Sequence, residues 1–360
     1  MQVEDTKKDF LIVGFGVVGL SLAKHLLDQN TSFDVIANLK PRASSVSGGL
    51  LNPVSLKRLK LAWNADLFHF YAVDFYSSFT QLLGQSYLQD KPIYRIFSSI
   101  EEQNLWFSQP ESKPINKYLS SDLIDLAKVD NKFRSAKVID SYLIRLRELI
   151  SDFSNYLIGS SRFIQANFNY ADLHLSDSCV KYNSRGYKHV IFADGYQVIN
   201  NPFFNYLPIY GNKGEYLIVR CTDLSQDKIY KPSKFLIPLG QGLFKFGATY
   251  ERDFTDDLPS ASARLNLNKE LEKFTTVDFE IVDQVSAIRP TSKDRLPISG
   301  QHPKHSSLFT LNAMGSRGIM SAPHLAKNLI NSIKTNETIM DQVNVNRFTR
   351  KHFKSSPSLY

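Results

Sequence analysis

A chain of 360 residues, 42% hydrophobic and 22% charged, has the composition of a folded globular protein, which excludes wholesale disorder. Its length exceeds the roughly 250–300 residues at which a single hydrophobic core stops growing, so we expect two domains. No apolar run reaches the roughly 18 residues of a membrane-spanning helix. The charged N-terminus MQVEDTKKD lacks the apolar core of a signal peptide. We therefore expect a soluble, cytoplasmic protein.

Basic residues outnumber acidic ones by 43 to 35, a net charge of +8. Such an excess favours an anionic partner, for example a carboxylate substrate, a phosphate-bearing cofactor or RNA. The basic residues are scattered and form no stripe of the kind that nucleic-acid-binding proteins show. Cys179 and Cys221 are too few for a disulfide framework or a cysteine zinc site. The eight histidines show no metal-binding spacing, so we expect no metal.

The first part of the chain predicts a β-α-β unit, with strands over 10–13 and 33–37 and a helix over 20–27. Residues 63–83 carry apolar side chains at steps of three and four, which indicates an amphipathic helix. We interpret its aromatic stripe as core packing. Residues 86–137 are less regular.

Further along, the pattern predicts elements of both kinds. These are a helix over 141–149, a strand over 187–193, several strands within 208–250, a loop over 289–300, a strand over 307–313 and a helix over about 320–333 with Pro323 in its first turn.

A parallel unit at both ends of the chain and an antiparallel middle predict an α/β protein with an α+β second domain. In this interpretation a Rossmann-like nucleotide-binding domain accepts an inserted antiparallel-sheet domain. The predicted division gives 1–85, 138–205 and 286–360 to the first domain, and 86–137 and 206–285 to the second.

The sequence GFGVVG matches the dinucleotide-binding fingerprint and lies between a predicted strand and a predicted helix. Its first glycine permits the tight turn, its second lets a pyrophosphate approach the backbone, and its third lets helix and strand pack closely. The helix start then directs free N–H groups at the pyrophosphate. The predicted pyrophosphate turn comprises Gly14, Phe15, Gly16, Val17, Val18 and Gly19.

The fingerprint departs from its usual form at the end of the second strand. An acidic residue is expected there to hold the ribose hydroxyls, but Ala37 and Asn38 occupy the position. An asparagine can hydrogen-bond a ribose, less strongly than a carboxylate. We therefore predict Asn38 as a weaker ribose ligand.

Three later segments favour FAD over NAD. Residues 43–50 are small and would let backbone lie against a flat ring system. HVIFADG gives a second strand that ends in a glycine turn, and GSRGIMSAP gives a second helix start, which would stabilise negative charge on a reduced flavin. The further predicted cofactor residues are Ser45, Gly48, Gly49, Leu50, Ala193, Asp194, Gly195, Arg289, Gly315, Ser316, Arg317, Gly318 and Ile319.

The chain resembles the D-amino-acid oxidase superfamily of FAD enzymes, and within it the glycine and sarcosine oxidases and the FAD oxidase domain of the bifunctional tRNA methylaminomethyl-uridine enzyme. Eight segments carry the likeness in order along the chain. They are GFGVVG, GGLLNP, VID, VIFADG, KGEYL, LIP with FGATYE, RPTSKDRLPISG and GSRGIMSAP.

The resemblance implies an FAD domain of discontinuous segments and an antiparallel sheet over the flavin. It implies that Arg289 and Arg317 face the substrate, where a bidentate arginine suits a carboxylate; the alternative for each is a structural brace. Tyr250 is a candidate wall over the flavin, although we favour a core position for it. Neither cysteine lies where some relatives attach the flavin, so we predict non-covalent FAD.

The resemblance also implies a reaction: oxidation of the C–N bond of an amino acid or secondary amine bearing a carboxylate, by hydride transfer to flavin N5. The alternative is an oxidoreductase that modifies a carboxymethylaminomethyl group on a tRNA wobble uridine, with tRNA as a partner; the scattered charges do not favour it. A third hypothesis is a flavin-free relative that only binds partners, for which Ala37 and Asn38 are the best support. The sequence does not predict the oligomeric state.

Overall fold

The computed structural model describes residues 7–110, 113–176 and 179–353. Strands and helices contribute almost equally to its regular structure. In chain order the strands are β1 (Lys8–Val13), β2 (Phe33–Ala37), β3 (Leu50–Leu51), β4 (Val54–Ser55), β5 (Lys60–Leu61), β6 (Leu88–Asp90), β7 (Ile93–Ile96), β8 (Ser135–Val138), β9 (Tyr142–Ile144), β10 (Phe163–Gln165), β11 (Leu173–Leu175), β12 (Val180–Tyr182), β13 (Arg185–Phe192), β14 (Ile209–Arg220), β15 (Ile229–Lys231), β16 (Phe235–Gly240), β17 (Leu243–Gly247), β18 (Glu280–Ser292), β19 (Ile298–Gln301) and β20 (Leu308–Asn312).

The helices flank these strands. They are α1 (Val17–Asp28), α2 (Ala43–Val46), α3 (Ala65–Ser77), α4 (Phe79–Leu83), α5 (Ile100–Phe107), α6 (Leu146–Gly159), α7 (Ala261–Glu272), α8 (Gly318–Thr335) and α9 (Asn346–Phe353). Among the described residues, none of these helices is both long and apolar enough to cross a bilayer.

The first sheet has the order β10-β2-β1-β13-β12-β11, with β20 beside β13 and β19 beside β20. Its centre is parallel, since β10, β2, β1, β13 and β20 all run in one direction. Their carboxyl ends therefore meet at one edge, which is where open α/β sheets bind ligands.

The second sheet has the order β18-β14-β17-β16-β15-β7-β8 and is antiparallel except where β15 meets β7. Its longest pairing joins β14 to β18. Both strands reach the cavity described below, so this sheet contributes one wall of the site.

Helices α1, α3 and α8 pack together in the largest core cluster. Pro323 lies in the second turn of α8, not in the first as predicted. A proline there leaves the carbonyl of Ile319 without its helical donor, and the hydroxyl of Tyr76 on α3 donates to that carbonyl at 2.9 Å. The buried tyrosine thus satisfies the group that the proline frees.

Most predicted elements are confirmed, with three corrections. The predicted helix over 141–149 begins as strand β9, and α6 starts only at Leu146. The predicted helix over 63–83 is divided at Ser78 into α3 and α4. The predicted loop over 289–300 is largely strand, because β18 continues to Ser292 and β19 begins at Ile298.

The predicted domain division remains a proposal. The two sheets follow its general outline, but β18 runs without interruption through residue 286, where the division places a boundary. The hydrogen-bonded register of β18 with β14 is continuous over 285–292, so a boundary at residue 286 would cut through a paired strand. We therefore propose that the inserted sheet extends to the end of β18.

Candidate FAD and substrate site

A cavity of about 980 Å³ lies at the carboxyl edge of the first sheet and against one face of the second. This volume is at the upper end of the range for ligand pockets. Its lining includes the first turns of α1 and α8 from one side and residues 286–290 of β18 from the other. The cavity therefore has room for a large ligand, and such a ligand would contact residues of both sheets.

The glycine turn after β1 is shaped by contacts with protein. Gly14 has φ +100°, and a Cβ there would lie 2.5 Å from the carbonyl oxygen of Ala193. A Cβ on Gly19 would overlap the carbonyl oxygen of Gly14. Gly19 does not line the cavity, so its role is the close packing of helix on strand that the fingerprint predicts.

Gly16 has a different environment from the other two glycines. A Cβ on Gly16 would lie 2.9 Å from the hydroxyl oxygen of Ser44 and would meet no backbone. That hydroxyl accepts a hydrogen bond from the amide of Val17 at 2.9 Å. The start of α1 has no capping side chain on Gly16 itself, and the following first-turn amides have no helical acceptor. This end of α1 is open to an anion.

The start of α8 is the second uncapped helix end in the cavity wall. Its cap residue makes no side-chain capping bond and its first turn holds no acidic residue. Gly315 has φ +57°, and a Cβ there would meet only the hydroxyl oxygen of Thr291, at 3.9 Å. That hydroxyl is buried and has no hydrogen-bond partner within the described part of the chain.

Asp194 is a carboxyl group in the cavity wall. It accepts hydrogen bonds from the side-chain amides of Asn201 and Asn312, each at 2.9 Å. Burial raises the pKa of the Asp194 carboxyl to about 6, while these bonds and one from Tyr170 oppose the rise. The neighbouring Gly195 would meet no atom within 4 Å if it carried a Cβ, so space is open beside it.

The small-residue segment 43–50 packs against protein more closely than the sequence suggested. A Cβ on Gly48 would lie 2.5 Å from Ile237 of the second sheet, and one on Gly49 would overlap the carbonyl of Ile144. Lys245 of β17 donates to the carbonyls of Val46 and Ser47, each at 3.2 Å. Burial lowers the pKa of the Lys245 ammonium to about 8. The segment is thus held between the second sheet and β9.

Arg289 lies on β18 with its guanidinium in the cavity wall. Its Nη1 donates to Asn212 Oδ1 at 3.4 Å and to the carbonyl of Thr249 at 3.5 Å, both longer than ordinary hydrogen bonds. The Tyr250 ring centre lies 5.6 Å from the guanidinium carbon. No carboxylate among the described residues forms an ion pair with Arg289, so its charge remains available to a ligand.

Tyr250 is not a core residue, contrary to our expectation, since 61% of its surface is exposed. It follows β17 and lines the cavity. The misjudgement has a physical cause: the strand ends at Gly247, three residues before the tyrosine, so the alternation of the strand no longer sets the direction of its side chain. Tyr250 can therefore act as a wall.

The guanidinium of Arg317 is hydrogen-bonded to the protein backbone. It donates to the carbonyl of Asn52 at 2.6 Å and to that of Val54 at 3.2 Å. Burial lowers the pKa of Arg317, but an arginine stays charged at neutral pH. These bonds tie the turn before α8 to the segment around β4 and support the bracing alternative for Arg317.

The cavity wall is strongly positive. Among the described residues that line it, the basic side chains outnumber the acidic ones. The basic residues are Lys40, Arg42, Lys57, Arg147, Lys231, Arg289 and Arg317, and the acidic ones are Asp194 and Asp257. A low-dielectric cavity with this excess favours anionic ligands.

Residues 171–331 match the family model for FAD-dependent oxidoreductases, named DAO. This match covers somewhat less than half of the chain. Over 351 residues it is 21% identical to a glycine oxidase of Pseudomonas aeruginosa, a match that covers 92% of this chain and 96% of that protein. The prediction of an FAD-dependent oxidoreductase is thereby confirmed.

Two further similarities bear on this FAD-dependent oxidoreductase. A crystal structure of glycine oxidase from Geobacillus kaustophilus superposes with a TM-score of 0.76 at 19% identity and covers 93% of this chain and 96% of that one, which confirms the predicted fold. A tRNA 5-methylaminomethyl-2-thiouridine biosynthesis bifunctional protein of Idiomarina loihiensis is 26% identical over 175 residues, which are 46% of this chain and 28% of that protein.

The cavity residues of the oxidoreductase fit FAD. The open start of α1 suits a diphosphate, and the open start of α8 suits the electron-rich pyrimidine edge of a flavin. The free space at Gly195 and Gly315 gives room for the rest of the group. The residues that would hold FAD are those of the glycine turn, of the segment after β2 and of the turn over 315–319.

The predicted site residues, apart from Gly19, all line this one cavity, although their individual roles stay predictions. Sequence reasoning missed Asn167 as a residue of the cavity wall, and it missed the contacts by which Ser44 and Lys245 hold the segment 43–50 in place. Ser44 and Lys245 make contacts that depend on the meeting of distant segments, for which no local pattern exists. Asn167 lies just beyond β10, the neighbour of β2, and was detectable only once that pairing was known.

Asn167 lies beside Asn38, at the predicted ribose end of the site. Its Oδ1 accepts a hydrogen bond from Asn38 Nδ2 at 2.5 Å, and both residues line the cavity. Two adjacent strands thus present an amide pair where the fingerprint expects one carboxylate. We expect Asn38→Ala to weaken FAD binding by about 1 kcal/mol, roughly fivefold, the value of one neutral hydrogen bond.

The measurement is FAD titration of the apoprotein, followed by quenching of flavin fluorescence. Asn167→Ala should weaken binding by a similar factor, because it removes the partner that orients Asn38. Asn169→Ala is the matched control, since Asn169 bonds locally to Ala171 and Asp172. An unchanged FAD affinity in both Asn38→Ala and Asn167→Ala would refute a ribose role for the pair.

Proposed function

We propose that this chain oxidises the C–N bond of a small amino acid or secondary amine that carries a carboxylate. The observation that carries the proposal is the Arg289 guanidinium, which lies in a positive cavity with long contacts to protein and no ion pair among the described residues. A planar, permanently charged fork of this kind suits a carboxylate. When bound, FAD supplies the acceptor for a hydride from the carbon beside the nitrogen.

The remaining residues have positioning roles in this proposal. Arg289 anchors the carboxylate from the side of the second sheet. Tyr250 covers the guanidinium and shields it from bulk water on one side. Arg317 braces the turn before α8 through the carbonyls of Asn52 and Val54. The similarity to glycine oxidases and to an iminodiacetate oxidase of Chelativorans, with a TM-score of 0.72 at 17% identity over 94% of this chain and 98% of that one, supports an amine with a carboxylate.

The first test addresses the cofactor. The purified protein should be yellow, and acid precipitation should release the chromophore into the supernatant because the flavin is non-covalent. The second step is anaerobic bleaching of the bound flavin by a panel of amino acids and N-methyl amino acids. Colour retained in the pellet would refute non-covalent binding. A panel in which carboxylate-free amines bleach the flavin as well as amino acids do would refute the carboxylate requirement.

The alternative function is oxidation of a modified tRNA wobble uridine. It is supported by a basic turn between β4 and β5, where Lys57 lines the cavity and Arg58 and Lys60 are exposed, and by the partial match to the tRNA-modifying relative. Phosphate contacts weaken steeply with salt. Binding of unmodified tRNA that falls with rising salt, and that is lost in the Lys57→Gln, Arg58→Gln, Lys60→Gln variant, would favour this alternative.

A further inference from the structure

Gly214 lies directly beneath the guanidinium of Arg289. The two residues are on β14 and β18, which pair antiparallel with Gly214 opposite Ala287 and Asn212 opposite Arg289. Arg289 is therefore the diagonal neighbour of Gly214. A Cβ on Gly214 would overlap Nη1, Nη2 and Cζ of the arginine, so the guanidinium lies flat on the backbone of the glycine.

The exclusion of a side chain at Gly214 comes from the arginine and not from the backbone. Gly214 is not among the residues with positive φ, so its conformation is open to any residue. The three atoms nearest to a Cβ at this position all belong to the Arg289 side chain. Since Gly214 is buried, a side chain here has no solvent into which it can turn.

The hydrogen bonds of Arg289 do not by themselves fix its position. The bonds to Asn212 and Thr249 are 3.4 and 3.5 Å long, and Tyr250 on the other side is mostly exposed. The guanidinium occupies the space that a Cβ of residue 214 would fill, so the bare backbone there bounds its position on one side. A ligand that binds both arms of a guanidinium depends on where its plane lies.

We propose that Gly214 is a positioning residue, which sets the depth of the Arg289 guanidinium in the cavity and so determines its reach to the substrate carboxylate. This inference rests on the proposed function. Any side chain at 214 lifts the guanidinium from the strand into the cavity, so it both misaligns the fork and reduces the room for the substrate. Misplacement by about 1 Å can cost about 100-fold in an active site.

The test compares the holoenzyme with Gly214→Ala, Arg289→Ala and the double variant. Acetate is titrated against each, and the perturbation of the flavin spectrum gives its dissociation constant. The best amine from the bleaching panel gives a second half-saturation value. We expect Gly214→Ala to weaken both by about 10-fold or more, and to have no further effect in the Arg289→Ala background, because the arginine through which it acts is gone.

Gly159→Ala is the matched control, since a Cβ there meets no atom within 4 Å; it should behave as wild type. Flavin content and the melting temperature of each variant report folding. Wild-type affinity in Gly214→Ala would overturn the inference, as would an equal loss in the presence and absence of Arg289. If acetate does not bind to the wild type and no carboxylate amine bleaches it, the proposed function itself fails, and the inference falls with it.

A crystal structure of Gly214→Ala gives a readout that does not depend on substrate. The guanidinium of Arg289 should be displaced from its place over residue 214, while Asn212 and Thr249 keep their positions. An unmoved guanidinium, with the alanine accommodated by a shift of the β14 backbone, would overturn the positioning role even if acetate affinity fell.

Discussion

Gly16→Val is expected to give a folded protein that does not retain FAD. A Cβ at residue 16 would be close only to the hydroxyl of Ser44, and since that hydroxyl can rotate away, the apoprotein should tolerate the substitution. The same side chain would stand at the open start of α1, where the first-turn amides face the cavity. Loss of charge-assisted bonds to a diphosphate, at roughly 1.5–3 kcal/mol each, should weaken FAD binding at least about 100-fold.

The measurement is the ratio of flavin to protein absorbance after dialysis, together with melting with and without added FAD. A ligand that binds only the native state raises the melting temperature by mass action, so FAD should stabilise the wild type and leave Gly16→Val unchanged. Gly159→Val is the control, because that position is open. A wild-type flavin ratio in Gly16→Val would contradict the assignment of the diphosphate to this helix end.

Gly19→Ala separates packing from ligand binding within the same motif. Its Cβ would overlap the backbone carbonyl of Gly14, and backbone cannot rotate away as Ser44 can. The variant should therefore lose stability in the apoprotein as well as FAD. The second and third glycines of the fingerprint thus have different roles. The absence of a side chain leaves room for a protein carbonyl at Gly19 and for the ligand at Gly16.

The fold was predictable because its signals are local. The strand-turn-helix around Gly14, Gly16 and Gly19 and the short apolar runs of β16 and β17 each extend over only a few residues. The boundaries failed where tertiary pairing overrode local pattern. Arg289 and its neighbours look like a loop, since Pro290 cannot donate to a ladder, yet β18 continues there as an edge strand of the second sheet.

The site was predictable only in part, for a related reason. A sequence pattern identifies a residue type that suits a ligand, but it does not show what else that side chain contacts. Arg289 and Arg317 are both candidates in sequence; the structure gives Arg317 two carbonyls to bind and leaves Arg289 with long contacts. Gly214 in KGEYL was noticed for its resemblance alone, because the guanidinium above it comes from a strand more than seventy residues away.

Arg289→Lys should weaken substrate binding while FAD stays bound. The lysine keeps the positive charge but loses the planar fork, so one of two parallel hydrogen bonds to a carboxylate disappears and the ammonium must shift. The loss of such a bond costs roughly 1.5–3 kcal/mol, about 10- to 100-fold in apparent affinity. Arg289→Ala should weaken binding further, because the charge is lost as well.

The measurement is anaerobic reduction of bound FAD against substrate concentration for each variant. Arg220→Lys is the matched control. Arg220 lies on β14 at the far end of the same pair of strands and faces the exposed Glu280. This substitution should therefore leave the half-saturation concentration unchanged. Arg317→Lys should affect stability more than half-saturation, because a lysine cannot bind the carbonyls of Asn52 and Val54 together as the guanidinium does.

The order of the half-saturation values among the variants distinguishes an anchoring role of Arg289 from a purely structural one. If Arg289 anchors a carboxylate, half-saturation rises from wild type to lysine to alanine while the flavin spectrum of the free enzyme is unchanged. If Arg289 only supports the protein, all three share one half-saturation value and differ in melting temperature. Wild-type-like half-saturation in Arg289→Ala would therefore remove the anchor, and with it the main reason to propose a carboxylate substrate.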